Sequence, residues 1–410
     1  MKEKQLVLLG LALVILVSFL DSFAGVMSGY EEAVQIRDEA GNLVRVGEDG
    51  SLPLQAVQKG ELTGSLAAGQ VLKVSLPMGE IDLSGVKEGE EGEEGEQGEQ
   101  GVGAADAAQL QYEVRVYGRN KEVAQEYAGR VKVSLRPLSG TPGASGVAGT
   151  AGEAGGGLEL VVDEPPRPAE LKVKVVVRGT LPAAARVDLE NGYGLVRVTD
   201  LSGPSTVRNG YGPTELGRLA GDWSVEADYS ALLVDGIAGD LEMRGDYSEA
   251  NISHVGGDLT IRSDYKDIRV ADVRGDLDVK GDYGSLQFED VAGSVTLDVG
   301  YKDVRGDGIG GDVRASSSYG DLRLAGLRRN VEIEAEFAKV DLGFAAPPDH
   351  RFHLRSRYGS IADDLSVTEE RSAGSFEKLR EGVAGRGQYR VSVETDYGDI
   401  HVWEAAARNR

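Results

Sequence analysis

The sequence contains no cysteine. That excludes disulfides, thiolate metal sites, cysteine nucleophiles and a lipid-modified N-terminal cysteine. A small exported domain often depends on disulfides, but a long repeat array has enough core to fold without them. Histidine is scarce, four in 410 residues. His350 and His353 stand three apart in "HRFH", just after Pro347 and Pro348, with no third ligand identifiable, and they read as loop or surface residues. Large aromatics are few, two Trp and seven Phe, against 58 glycines, a balance that favours short strands and frequent turns over helical bundles. Basic residues number 44 against 68 acidic ones, a net charge of −24. Such a surface disfavours nucleic acid and anionic membranes, and it suits a cationic partner or plain solubility. No Gly-x-Ser-x-Gly elbow, phosphate loop or dinucleotide fingerprint occurs in a strand–turn–helix setting. No catalytic, cofactor-binding or metal-binding residue is therefore nominated.

What is present begins with Lys2 and Lys4, an apolar run from Leu6 to Leu20, then Asp21 and Ser22-Phe23-Ala24. The run suits a signal-peptide core and is short for a membrane span of about 20 residues. Residues 1–24 are expected to be a signal peptide cut after Ala24 or, uncleaved, an anchor through residues 5–20. Both place the remainder outside the cytoplasm: periplasmic, cell-surface or secreted.

The dominant signal is a repeat. Aromatic residues fall at Tyr193, Tyr211, Tyr229, Tyr247, Tyr265, Tyr283, Tyr301, Tyr319 and Phe337, always eighteen residues apart. With the tyrosine as position zero, positions three and five are mostly apolar (Ile268 and Val270, Leu286 and Phe288), as are twelve and fourteen (Leu241 and Met243, Leu259 and Ile261). Position eight is apolar throughout, from Leu201 to Leu327. Alternation at period two is the strand signature, and the Gly-Asp pairs between runs are turn chemistry. Each repeat should hold two firm strands and a shorter apolar touch between corners. Ordering eighteen residues costs on the order of 25 kcal/mol, and five buried aliphatics return roughly 8–15 kcal/mol, so one repeat cannot fold alone. Stacked repeats can. The expected fold is all-β, a single-stranded β-helix or β-solenoid with eighteen-residue rungs. A propeller, with about forty residues per blade, is excluded by the period.

Position sixteen is often small (Ala227, Gly245, Ser263, Gly281), as a crowded corner requires. The tyrosines are expected to point inward as stacked corner fillers with hydroxyls near the surface. The alternative is an outward aromatic ladder that binds sugar rings.

The regular array should span 170–361, with "DEPPRP" (163–168) interrupting strand formation upstream and Pro204 and Pro213 at corners. Residues 362–387 read as an inserted loop, 388–403 around Tyr397 as the final rung and cap, and 404–410 as a tail. Residues 25–160 read as an irregular β region. Its credible strands are "GQVLKVSLPMGEIDLSG", "LQYEVRVYG", "GRVKVSLRPL" and "GLELVVD", with a short helix at Asn120 to Tyr127. Two low-complexity loops, 87–106 and 139–157, carry glycine at every third residue. Only Pro142 stands in either, too little proline for a collagen helix, so flexible loops are expected.

The lead-in "VVVRGTLPAAARVDLENGYG", the repeat of Asn-Gly-Tyr-Gly at 191–194 and 209–212, and Tyr-Gly-Asp-Ile at 397–400 resemble a bacterial adhesin-like family of exported domains, relatives of head-domain adhesins. The resemblance covers roughly residues 60–403. It implies a right-handed β-helix-like domain in or beyond the cell envelope, and it brings no catalytic residues.

Aspartates form columns at two corners: Asp222, Asp240, Asp258, Asp276 and Asp312 at one, Asp228, Asp246, Asp264 and Asp282 at the other. Stacked carboxylates ~4.8 Å apart repel by about 0.9 kcal/mol in water, which a hydrogen bond to a turn N–H of ~0.5–1.5 kcal/mol offsets. Turn chemistry thus accounts for the columns, with calcium a weaker reading because the nonapeptide calcium repeat is absent. The functional expectation is a non-enzymatic cell-envelope β-solenoid, an adhesion or scaffold module, with no cofactor and with envelope polysaccharide or protein as partner. The alternative is a polysaccharide-degrading enzyme using surface carboxylates in a cleft near Gly306 or residues 362–387. A scaffold polymerising end to end is disfavoured by the C-terminal cap.

Overall fold

The computed structural model describes residues 35–37, 43–45, 52–86, 107–138, 156–372 and 376–405. The expected export segment and nearly all of both glycine-triplet loops lie outside these residues. The chain divides into two units.

The smaller unit takes in residues up to Lys59, Glu113–Lys132 and Val162–Lys174. Its helix α1, Lys121–Arg130, starts where expected: the Asn120 side chain accepts from the N–H groups of Glu122 (2.9 Å) and Val123 (3.2 Å). Tyr127, buried on that helix, donates its hydroxyl to Glu164 at 3.1 Å, and Arg167 holds the same carboxylate at 2.7 Å. Glu113 sits between Lys59 (2.6 Å) and Arg115 (2.8 Å), whose hydrogen bonds hold its carboxyl down at about 2.

The larger unit, Gly60–Tyr112, Val133–Val161 and Val175–Arg410, is a β-solenoid with two parallel walls. Leu241 pairs with Leu259, Leu259 with Leu277, Leu277 with Val295 and Val295 with Val313 in one wall. Leu232, Ala250, Ile268 and Leu286 line up in the other. Each step is eighteen residues, so identical repeat positions stack as columns. The aliphatics at positions three, five, eight, twelve and fourteen are buried between the walls, Leu241, Met243, Ile268, Val270 and Val273 among them.

Position eight is not a separate touch. It ends a strand in the seven rungs from Leu219 to Leu327, one residue past a left-handed kink at position seven. Val270 pairs with Phe288 and Ala271 with Glu289, then Asp272 is skipped and Val273 pairs with Val291. The skipped residue has positive φ in every full rung from Asp200 (60°) through His254 (57°) and Asp272 (54°) to Gly326 (72°). One left-handed residue turns the next side chain back inward, which strict alternation would have left outside.

Both ends depart from sequence order. Val71–Leu76 pairs with Arg186–Tyr193 on one side and Gly157–Asp163 on the other, while Gly79–Val86 lies between Val196–Thr199 and Lys172–Pro182. The region expected as irregular therefore supplies rungs to the same walls. At the far end Tyr389–Thr395 lies between Val331–Ala335 and His350–Ser356, and Ile400–Ala405 between Val340–Ala345 and Ile361–Asp363. The segment expected as the last rung is thus one rung in. The outermost wall strand is His350–Ser356, closed off by the antiparallel pair Thr368–Ser372 and Lys378–Val383, inside what was expected to be a loop. Antiparallel closure ends the parallel ladder against further stacking.

Candidate functional site: an exposed aromatic ladder between carboxylate columns

The tyrosines point out, not in. Tyr265 is 47% exposed, and its neighbours in the column from Tyr193 to Tyr358 are comparably open. At four of these positions the backbone gives the reason. At Tyr229, Tyr247, Tyr265 and Tyr283 the backbone takes positive φ, between 48° and 69°, which breaks the alternation that would have aimed the ring at the core. The inner corner is filled instead by position sixteen (Ala227, Ser263, Ser317) and position one (Ser248, Lys302, Ala338), all buried. Gly245 shows how tight it is: a Cβ there would lie 2.0 Å from the Ala227 carbonyl oxygen.

Outside, the rings stack. Tyr193, Tyr211, Tyr229, Tyr247, Tyr265, Tyr283, Tyr301, Tyr319 and Phe337 follow one another with centroids 4.6–5.1 Å apart and planes within 15°. Tyr397 continues on Phe337 and Tyr358 on Tyr397, each at 4.7 Å, in the spatial order of the rungs rather than the sequence order. Phe376, 70% exposed, leans on Tyr358 at 35°. The consequence is chemical. Each interior ring gives both faces to its neighbours, so the surface presents ring edges and hydroxyls. Stacking of sugar rings on tyrosine faces, the alternative raised by the sequence, has no free face to use along the run.

Carboxylates flank the ladder. On one side Asp228, Asp246 and Asp264 each accept from the backbone N–H of the next aspartate in the column (3.0, 3.4 and 2.6 Å). On the other, Asp267 accepts from Ser285 N–H (2.9 Å), Asp303 from Asp321 N–H (3.0 Å) and Asp321 from Lys339 N–H (2.9 Å). The far corner repeats the device without rings, through Asp222, Asp240, Asp258, Asp276 and Asp312 at 2.7–3.1 Å. These bonds are the turn chemistry expected of the columns. Beside this charge the phenols resist ionising: neighbouring Tyr247, partial burial and Asp264 raise Tyr265, and partial burial with the adjoining tyrosines and aspartates raises Tyr229.

Beneath the ladder lies a residue that sequence reading passed over. Lys302 follows Tyr301 in a column that is otherwise Gly, Ser or Ala except for exposed Lys266, and it is fully buried. Its Nζ crosses the space left by Gly284 to donate to the carbonyls of Tyr283 (2.5 Å) and Lys266 (3.3 Å), and burial depresses its pKa. Lys266 departs from the same column and is exposed, so the sequence carried no signal that marks Lys302 as the buried one.

Of the two places nominated for a cleft, Gly306 is filled, and the described part of 362–387 carries the antiparallel pair of the cap. Gly306 lies under the Phe288 ring of the preceding rung, where a Cβ would come within 2.1 Å of the ring. His350 and His353 lie on a strand, not a loop, and an odd spacing puts them on opposite faces. His350 is buried among Phe344, Phe352 and Tyr389, with Nε2 on the Arg329 carbonyl at 3.2 Å, and burial lowers its pKa. His353 faces Glu381 at 3.2 Å. An open groove of about 440 Å³ on the N-terminal rungs is lined by Glu61, Thr63, Asp82, Gln109, Gln111 and Arg178. Among the described residues no cluster of His, Asp and Glu could hold a metal ion, and no helix is long and apolar enough to cross a membrane.

The fold and the ladder define a two-walled parallel β-solenoid with an aromatic spine. Residues 220–403 match the family described as Toastrack DUF4097. The match takes in Tyr397–Ile400 but begins after both Asn-Gly-Tyr-Gly motifs. No curated protein matches the chain. Among solved structures, one titled "putative cell adhesion protein", from Clostridium sporogenes ATCC 15579, is 8% identical, with 85% of this chain and 100% of that one covered and a TM-score of 0.16.

Proposed function

We propose that the protein is a non-enzymatic exported β-solenoid that serves as an adhesion or scaffold module at the cell envelope, joined to the membrane only if residues 5–20 persist as an anchor. The observation that carries this reading is the uncovered ladder. Aromatic rings in a straight, continuous column are more than a solenoid corner requires, and a long exposed apolar stripe on a soluble unit is a mark of contact with something else. The carboxylates support the same reading, because those beside the ladder spend an oxygen on the next rung's N–H instead of converging as an acid–base pair. The partner is envelope polysaccharide or envelope protein, and no cofactor is needed.

The test is co-sedimentation of the purified chain with envelope polysaccharide, with and without calcium, scoring binding and soluble sugar in the same tubes. Calcium-independent binding without sugar release is expected. Release of sugar would replace the scaffold with an enzyme, and failure of residues 1–24 to export a reporter would remove the envelope from the proposal.

A further inference from the structure

We infer that the tyrosine corner docks an extended lysine-rich polypeptide lying along the ladder. The inference rests on reading the protein as an interaction module and names the partner's chemistry.

The stripe runs for about 48 Å of stacked rings. Its geometry restricts what can bind. With ring faces turned to each other, neither a sugar face nor a guanidinium plane can stack along it, and only edges and hydroxyls remain. A lysine side chain suits such a surface: its methylene stem lies on apolar edges while its ammonium reaches sideways to a carboxylate.

Charge supplies the second restriction. On the outer wall faces opposite charges meet across neighbouring rungs, as in Lys280–Asp298 (2.6 Å), Arg314–Glu332 (3.0 Å) and Arg208–Asp188 (3.2 Å). At the ladder, Asp228, Asp246 and Asp267 accept from backbone N–H groups and form no ion pair among the described residues. The tyrosine corner has fewer cations than carboxylates: buried Lys302 acts on Asp264, Asp267 and Asp282, Lys266 is exposed beside Tyr265, and Arg357 pairs with Asp396 (3.0 Å) at the far end, which leaves a surplus of negative charge from Asp228 to Asp282. An anionic partner is repelled, and so is a second copy of a chain that carries −24. Same-side residues of an extended strand recur every ~6.6–6.8 Å, which does not match the ring spacing of 4.6–5.1 Å. Binding should therefore grow with length and cationic content and not depend on one register.

The test uses the full chain and a labelled lysine oligomer of about 15 residues, enough to span the ladder at ~3.3 Å per residue. One variant carries Asp228→Asn, Asp246→Asn, Asp264→Asn and Asp282→Asn, and a control carries Asp222→Asn, Asp240→Asn, Asp258→Asn and Asp276→Asn. Both lose the same charge and keep an amide oxygen as acceptor. The ladder set should raise Kd about tenfold or more and the control no more than about threefold. Tyr247→Ser with Tyr265→Ser and Tyr283→Ser, checked for native circular dichroism, should also weaken binding. Equal losses in the two aspartate sets, or no loss in the tyrosine set, would leave only net charge and overturn the docking surface. An arginine oligomer binding about tenfold tighter would mean that ring faces are reachable and would overturn the edge-on geometry. An amino-sugar oligomer bound as tightly, with the same sensitivity to the variants, would overturn the polypeptide assignment. Loss of oligolysine binding with polysaccharide co-sedimentation intact would reject this inference alone.

Discussion

The two corners of each rung solve one problem with different surpluses. Both turn the chain through tight geometry, and both pin the turn with an aspartate oxygen on the N–H of the next rung. The Gly-Asp corner has little besides: Gly257, Gly275 and Gly293 are packed so closely that a Cβ would fall 2.1–2.4 Å from an aspartate oxygen or a glycine carbonyl. The tyrosine corner adds a half-exposed ring that closes no turn. A corner can therefore be built without the ring, and its repetition through Tyr319 calls for a reason outside the turn itself.

The sharpest way to break this comparison is to perturb each corner once. Gly275→Val places side-chain atoms against Asp258 Oδ1 and the Gly257 backbone and should cost about 3 kcal/mol, read from urea unfolding followed by circular dichroism. Tyr265→Ala removes stacking on two neighbours, each worth about 0.5–1.5 kcal/mol, for about 2 kcal/mol in all. Because Tyr265 has φ of 69°, Tyr265→Gly should recover about 1 kcal/mol of that loss. If Tyr265→Ala costs more than Gly275→Val, the ring is a structural keystone and the surplus disappears.

The regular middle was legible because stacking converts a one-dimensional period into columns. Once Leu241, Leu259 and Leu277 share a position, their pairing and burial follow. Two features resisted. The ring direction depends on φ at Tyr265, and an L-residue in the left-handed region leaves no mark in an apolar–polar pattern. The rung order at the ends depends on which segment pairs with Val331–Ala335, and both His350–Ser356 and Tyr389–Thr395 carry a suitable alternation. Local pattern says that a segment can be a rung, not which rung it joins.

The difference between middle and end can be sharpened with pH. In the cap, neutral His350 donates through Nε2 to the Arg329 carbonyl and accepts through Nδ1 from Asp349 N–H. Burial holds its pKa below 6.5, so the unfolded chain binds the proton first as pH falls. Its contribution is present above pH ~6.5 and lost below it, at up to about 1.4 kcal/mol per pH unit. Hydrogen exchange over 350–356 and 378–383, corrected for intrinsic rates, should accelerate at pH 5.5, with the Tyr193–Tyr283 rungs much less affected. His350→Gln should flatten that response. Under the ladder the window lies elsewhere. Lys302 has its pKa lowered by burial, so the stability of the wild type relative to Lys302→Met should rise from pH 7 toward 10. A flat difference over that range would mean the ammonium is as well solvated in place as in the unfolded chain.

The smallest expected effect returns to the corners. In Asp264→Asn the amide oxygen can still accept from Asp282 N–H, now as a neutral bond and so a weaker one. Against that loss, repulsion from Asp246 and Asp282 is relieved, roughly 0.9 kcal/mol per neighbour in water at the rung spacing. The two nearly cancel, and the net change should lie within about 0.5 kcal/mol, as should that of Asp258→Asn at the far corner. What separates the corners is optical. Removing the charge at 264 should lower the pKa of Tyr265, which Asp264 helps to raise, so ultraviolet titration should show a phenol ionising earlier, whereas Asp258→Asn should leave the phenol titration unchanged. Two substitutions alike in stability but different in phenol titration would mean that the carboxylates beside the ladder set the electrostatics of the exposed rings. A loss above about 1 kcal/mol at Asp264 alone would instead make that column part of the frame.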